Sequence, residues 1–85
     1  MTQQIHQGSV VESLMGHDKG RWYLIVNIDG EFAFLVDGEY RLLDRPKKKR
    51  LKHIKSLNVE PLILETHGAV HDFEIKKHLK SCKNV

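Results

Sequence analysis

Two Asp-Gly pairs, Asp29-Gly30 and Asp37-Gly38, stand eight residues apart, which leaves no room for a helix between them. Asp-Gly between apolar runs is a strong hairpin signal, because glycine accepts the positive φ that a two-residue turn demands. Two such turns so close together predict a tightly wound antiparallel meander rather than strands joined by helical crossovers. Ser9–Leu14, centred on Val10-Val11, reads as a first short strand, followed by the turn-forming stretch Met15–Gly20. Trp22–Ile28 is aromatic and branched, the composition of a second strand. Alternation puts Trp22, Leu24, Val26 and Ile28 on one face and Tyr23, Ile25 and Asn27 on the other. Glu31–Val36 follows as a third strand and Tyr40–Leu43 as a fourth, ended by Pro46. A fifth is placed around Leu51–Lys55, although Leu51 and Ile54 break strict alternation.

The remainder has a different texture. Val59–Leu64 is apolar but interrupted by Pro61 and reads as a connection, and Gly68 is a break. Asp72 is placed to cap a helix over Phe73–Cys82, in which Ile75, Leu79 and Cys82 form one narrow apolar stripe. Lys76, Lys77 and Lys80 are expected to face outward. The division is therefore a strand domain over residues 1–58 and a linker with a short C-terminal helix over 59–85, an extension rather than a second domain. With the strands complete by Lys55, removal of the tail is expected to leave the strand domain folded.

Charge is divided unevenly along the chain. Residues 1–44 hold three bases against seven acids, and residues 45–85 hold eleven bases against four acids. Arg45 to Lys55 carries seven bases and no acid, the footprint of a phosphate-binding surface, although a solvated charged face looks the same in a sequence. In the Gly16–Gly20 turn, backbone N–H groups are candidates to hold a phosphate, with Lys19 and Arg21 flanking Gly20. Trp22, Tyr23 and Tyr40 are candidates for base stacking, with Trp22 and Tyr23 weighted toward the core. Pro46-Lys47-Lys48-Lys49-Arg50 also fits a nuclear-localisation pattern, which basic loops meet by chance.

Gly8-Ser9-Val10 opening a strand, the turn Gly16-His17-Asp18-Lys19-Gly20 and the apolar run Trp22–Val26 resemble a KOW motif. The continuation, Leu35-Val36-Asp37-Gly38 and then Asp44 to His53, resembles KOW-bearing large-subunit ribosomal proteins of archaea and eukaryotes. The layout over roughly residues 5–58 is closer still to the small KOW-domain RNA-binding proteins of Gram-positive bacteria. The resemblance implies a mainly β fold, a five-stranded antiparallel SH3-like barrel, here with a short C-terminal α-helix. It implies RNA binding, to structured ribosomal RNA or in ribosome assembly and translation, with ribosomal proteins as possible further partners. Structured RNA is read largely through phosphates and 2′-hydroxyls, for which lysine and arginine are suited. The candidate RNA-contacting residues are Lys19, Gly20, Arg21, Arg41, Arg45, Lys47, Lys48, Lys49, Arg50, Lys52 and His53. The alternative is a protein–protein interaction module docking on a transcription or translation complex.

Catalytic chemistry finds little footing. No Ser/His/Asp set, P-loop or paired acidic motif stands out, and the early acids read as turn and solvent-face residues. His53 beside Lys52 is read as a phosphate contact or a solvent-facing residue. His67-x3-His71 and His78-x3-Cys82 have helical metal-site spacing, but His71 and His78 lie ~10 Å apart along a straight helix. No catalytic residue, metal or cofactor is therefore expected. Cys82 is the single cysteine, which suits a reducing compartment. No run approaches the roughly 18 apolar residues of a membrane span, and the first residues lack a secretory pattern. The expectation is a cytoplasmic, monomeric, non-enzymatic protein.

Overall fold

The computed structural model describes residues 5–62 and 71–83. Its strands are β1 (Val10–Ser13), β2 (Trp22–Asp29), β3 (Phe32–Val36), β4 (Lys47–Arg50) and β5 (Ile54–Ser56), and one helix, α1 (Asp72–Lys83), follows. The five strands form one antiparallel sheet in the order β4-β3-β2-β1-β5. A single 3-10 turn, Leu51–His53, separates β4 from β5. These two strands are the sheet edges, and no ladder joins them among the described residues.

The β2–β3 hairpin forms where the first Asp-Gly pair lies, with Asp29 opposite Phe32. A bulge between Ile25 and Asn27 shifts the register of β2. Before it, Tyr23 and Ile25 pack with Val11, Ala33, Leu35 and Ile54 on one face of the sheet. Leu24 packs with Val10 and Val36 on the other face, joined by the half-buried Trp22 and Val26. Beyond the bulge Ile28 lies with the Tyr23 cluster, not with Trp22, Leu24 and Val26 as strict alternation requires. One inserted residue reverses which face a side chain meets.

The second Asp-Gly pair behaves differently, and the expected strand at Tyr40–Leu43 is absent. Asp37 Oδ1 accepts hydrogen bonds from the backbone N–H groups of Glu39, Tyr40 and Arg41 at 2.8–2.9 Å. A carboxylate that takes three successive donors leaves none for a ladder. The chain instead closes a compact turn, with Asp37 N and Gly38 N both bonded to the Arg41 carbonyl. The fourth strand falls later, on Lys47–Arg50, within the segment whose charge suggested a loop. Lysine is a poor strand former but a common guard of sheet edges, and β4 is an edge. The expected fifth strand likewise begins later, because Leu51–His53 forms the 3-10 turn.

The helix packs against the sheet. Ile75 and Leu79 are buried against Val10, Leu24 and Val36, and Cys82 is half-buried beside them. Lys76, Lys77 and Lys80 face outward. The Asp72 carboxylate, expected to cap its own helix, accepts instead from Leu43 N at 2.8 Å, across 29 residues of chain. Glu74 Oε1 reaches back to His71 N at 3.0 Å in the manner of a capping box. The break assigned to Gly68, and His67, lie outside the described residues.

Two changes test this packing. Each buried aliphatic side chain contributes about 1.5–3 kcal/mol, so a chain ending at residue 66 should lose most of the stability of a domain this small. A cooperative thermal transition at the full-length temperature would show that α1 is dispensable. Gly38 has φ +77°, and a Cβ there would collide with the Asp72 carbonyl and come within 2.7 Å of Lys76 N. Gly20, at φ +91°, has nothing within 4 Å of the same position. Gly20→Ala should cost only the backbone strain, about 1–2 kcal/mol, and Gly38→Ala distinctly more, because it also unseats α1. Equal losses in denaturant unfolding would mean that α1 does not rest on Gly38.

Candidate nucleic-acid interface

The β1–β2 turn is built around Asp18. Asp18, one of the acids expected in turns or on a solvent face, lies in the turn but is only 7% exposed. Its Oδ1 accepts from Ser13 Oγ at 2.8 Å and from Lys49 Nζ at 2.8 Å. Its Oδ2 accepts from the Tyr23 hydroxyl at 3.2 Å and lies 3.0 Å from Lys47 Nζ. Lys49 also donates to the Met15 carbonyl at 2.7 Å, tying the turn to β4. Burial by itself would raise the Asp18 pKa. The hydrogen bonds from Lys49, Lys47 and Ser13 together outweigh it and hold the carboxyl well below its ordinary range. The same burial, followed by the charge of Asp18, pushes the Tyr23 phenol up to about 12.

Alternation along β4 sorts its four bases. Lys47 and Lys49 stand opposite Leu35 and Ala33, on the face of the Tyr23 cluster, and both reach Asp18. Lys48 and Arg50 stand opposite Phe34 and Phe32 on the other face and are exposed. Both lie over the Phe32 ring, with Lys48 Nζ 4.4 Å and Arg50 Cζ 5.5 Å from its centroid. Arg50 also pairs with the exposed Glu31 at 3.2 Å. Exposed cation–π and surface ion pairs are weak enough for a phosphate to displace.

The candidate residues thus divide by role. Lys47 and Lys49 are engaged inside the fold, and Lys49 keeps only 10% of its side-chain surface. Arg45, Lys48 and Lys52 are exposed and form no ion pair among the described residues. Arg41 and His53 are half-buried, and the His53 carbonyl accepts from Leu14 N, extending the β1–β5 pairing. Lys19 and Arg21 are exposed beside the turn, and the backbone donors from Lys19 to Arg21 are occupied. Gly20 N bonds the Ser13 carbonyl, Lys19 N that of Gly16 and Arg21 N that of Asp18. Gly20 therefore shapes the turn and offers no free donor. Of the aromatic candidates Tyr23 is buried, Trp22 is half-buried and Tyr40 is 69% exposed.

His78 and Cys82 are held in structural contacts. His78 Nε2 donates to the Glu60 carbonyl at 2.7 Å, with Cys82 Sγ 3.7 Å from the same nitrogen. Burial, followed by the charge of Glu60, pushes the Cys82 thiol up. A ring N–H already bonded to a carbonyl and a neutral thiol make a poor ligand pair. The chain matches no protein-family model and no curated protein.

The Asp18 network was not visible beforehand. Ser13 and Tyr23 each lie five residues from Asp18, but Lys49 lies 31 away. Only the sheet order joins them. Asp18 loses its contribution as it is protonated. A carboxyl depressed in the folded state supports the fold fully above its ordinary value of 3.8 and progressively less as pH falls below it. The unfolding temperature should therefore drop between about pH 5 and pH 2.5, and more steeply than in Asp18→Asn. Asp18→Ala, which leaves two lysines facing each other, should cost about 3–5 kcal/mol at neutral pH. Parallel acid profiles for wild type and Asp18→Asn would show that the carboxylate is not held by these partners.

Proposed function

We propose that the chain is a non-enzymatic RNA-binding protein of the KOW type, an SH3-like barrel that meets ribosomal or other structured RNA through exposed bases on and around β4. The observation that carries this reading is the division of charge on that strand. With Asp18 holding Lys47 and Lys49, the exposed Lys48 and Arg50 remain on the opposite face around Phe32, with Arg45 and Lys52 exposed at either end of the strand. Cations on a rigid strand beside an aromatic ring suit a phosphate backbone with accessible bases. The strand order and the 3-10 turn before the last strand support the barrel reading. Lys19 and Arg21 are further exposed bases, at the β1–β2 turn. A cytoplasmic place and an association with translation go with the resemblance. No helix among the described residues is long and apolar enough to cross a membrane.

The division changes which substitutions test the function. Four phosphate contacts give a slope of log affinity against log salt of about −3 to −4. The triple change Arg45→Ala, Lys48→Ala and Lys52→Ala should reduce that slope by about 2–3 and leave thermal unfolding nearly unaltered. Lys49→Ala should act the other way, lowering stability first. RNA titrations at several salt concentrations, with unfolding curves for each variant, measure both. An unaltered slope in the triple variant would remove β4 as the contact surface. Salt-independent association with a protein partner alone would favour the interaction-module reading.

A further inference from the structure

We infer that the groove between the 37–41 turn and α1 is a stacking site for an unpaired nucleotide of RNA, with Trp22 and Tyr40 offering ring faces to the base and Arg21, Lys80 and Lys83 taking its phosphates. The inference rests on the RNA-binding reading and adds to it a single-stranded component, away from Lys48 and Arg50. The groove is open to solvent, with a volume of about 460 Å³, and both aromatic residues line it. Trp22 is anchored by its half-buried packing on the Leu24–Ile75 cluster, so its ring is fixed. Tyr40 stands on the Asp37-capped turn, whose three backbone hydrogen bonds make an otherwise exposed loop rigid. The turn also seats α1, but its Tyr40 side chain, 69% exposed, does not serve the core.

The charges in the groove point the same way. Its two acids are already occupied. Asp37 accepts the three N–H groups of its own turn, and Glu39 pairs with Lys76 at 2.8 Å. That contact raises the Lys76 pKa. Arg21, Lys80 and Lys83 are exposed and have no carboxylate partner among the described residues. Two of them lie on the rings, with Arg21 Cζ 4.8 Å from the Tyr40 centroid and Lys83 Nζ 5.4 Å from that of Trp22. A cation resting on a ring marks a π-face open to solvent. Both are long, exposed side chains that can turn from the ring to a phosphate while a base takes the face. Every base has such a face, so the site would be tolerant of sequence. A duplex covers its base faces by stacking and cannot use it.

Trp22 is the only tryptophan, so its fluorescence reports on this groove alone. The full chain is titrated with end-labelled oligouridine and with a duplex RNA of matched charge, following label anisotropy and tryptophan emission together. The single strand should quench Trp22 as it binds, and the duplex should bind without quenching. Tyr40→Ala should weaken the single strand about 5- to 30-fold, leave the duplex unaffected and leave the unfolding temperature unaffected. Binding of oligouridine without quenching, or with wild-type affinity in Tyr40→Ala, overturns the stacking site and leaves RNA binding elsewhere intact. Absence of anisotropy change with either RNA overturns both readings. Quenching by an acidic peptide at equal ionic strength, in place of RNA, would make the groove a peptide site and overturn the inference.

Discussion

Asp18 is a nearly buried carboxylate that would be costly to hold in this small fold without its partners. Two lysines, a serine and a tyrosine meet it, and among the described residues no buried side-chain nitrogen or oxygen lacks a partner. The consequences spread beyond the turn. Lys47 and Lys49 must lie on the Asp18 side of β4, which sets the register of that strand against β3. A slip of one residue would turn Lys48 and Arg50 inward and leave Asp18 short of its cations. The acid thus decides which bases of the run remain available to a partner. A buried ion network is a modest source of net stability, but it penalises alternative registers strongly.

The second constraint is that both faces of the sheet are apolar. A two-layer sheet and helix would need one covered face. Here the Tyr23–Leu35 cluster fills one side, while Leu24, Val10 and Val36 need cover on the other. The helix supplies it through Ile75 and Leu79, and three contacts hold it in place. Gly38 lets its first turn approach closely, Asp72 bonds the backbone at Leu43, and Lys76 pairs with Glu39. All three come from the 37–43 segment, which explains why that segment is a shaped turn and not a strand.

The same segment connects fold to proposed function. By seating α1, it places the lysines of the last helical turns near Trp22 and Tyr40. The Asp18 network acts in parallel on the far edge, where it separates structural from exposed bases. In both places an acid organises the surroundings and the cations left over face solvent. Formal net charge, only +3, conveys little of this. Placement of the partnered and unpartnered charges carries the functional reading.

The amino-acid pattern by itself determined the antiparallel character, the β2–β3 hairpin at Asp29-Gly30, the buried pairs in Trp22–Val26 and the stripe of Ile75, Leu79 and Cys82. These are local properties, set by turn chemistry and by periods of 2 and 3.6 residues. It could not show that Asp37 would take three neighbouring N–H groups for itself, since that competition between turn and ladder depends on whether a strand partner is present. It could not show the bulge near Val26, which leaves composition unaltered. Four consecutive bases at 47–50 read as a loop because charge usually marks solvent. Their pairing with β3, and the choice of Lys47 and Lys49 for Asp18, arise only when β3 and the β1–β2 turn are brought together. Contacts of 29 and 31 residues' separation, Leu43 with Asp72 and Lys49 with Asp18, have no local signature. Tertiary structure alone decided them, because a carboxylate removed from water binds whichever donors the folded chain brings within reach.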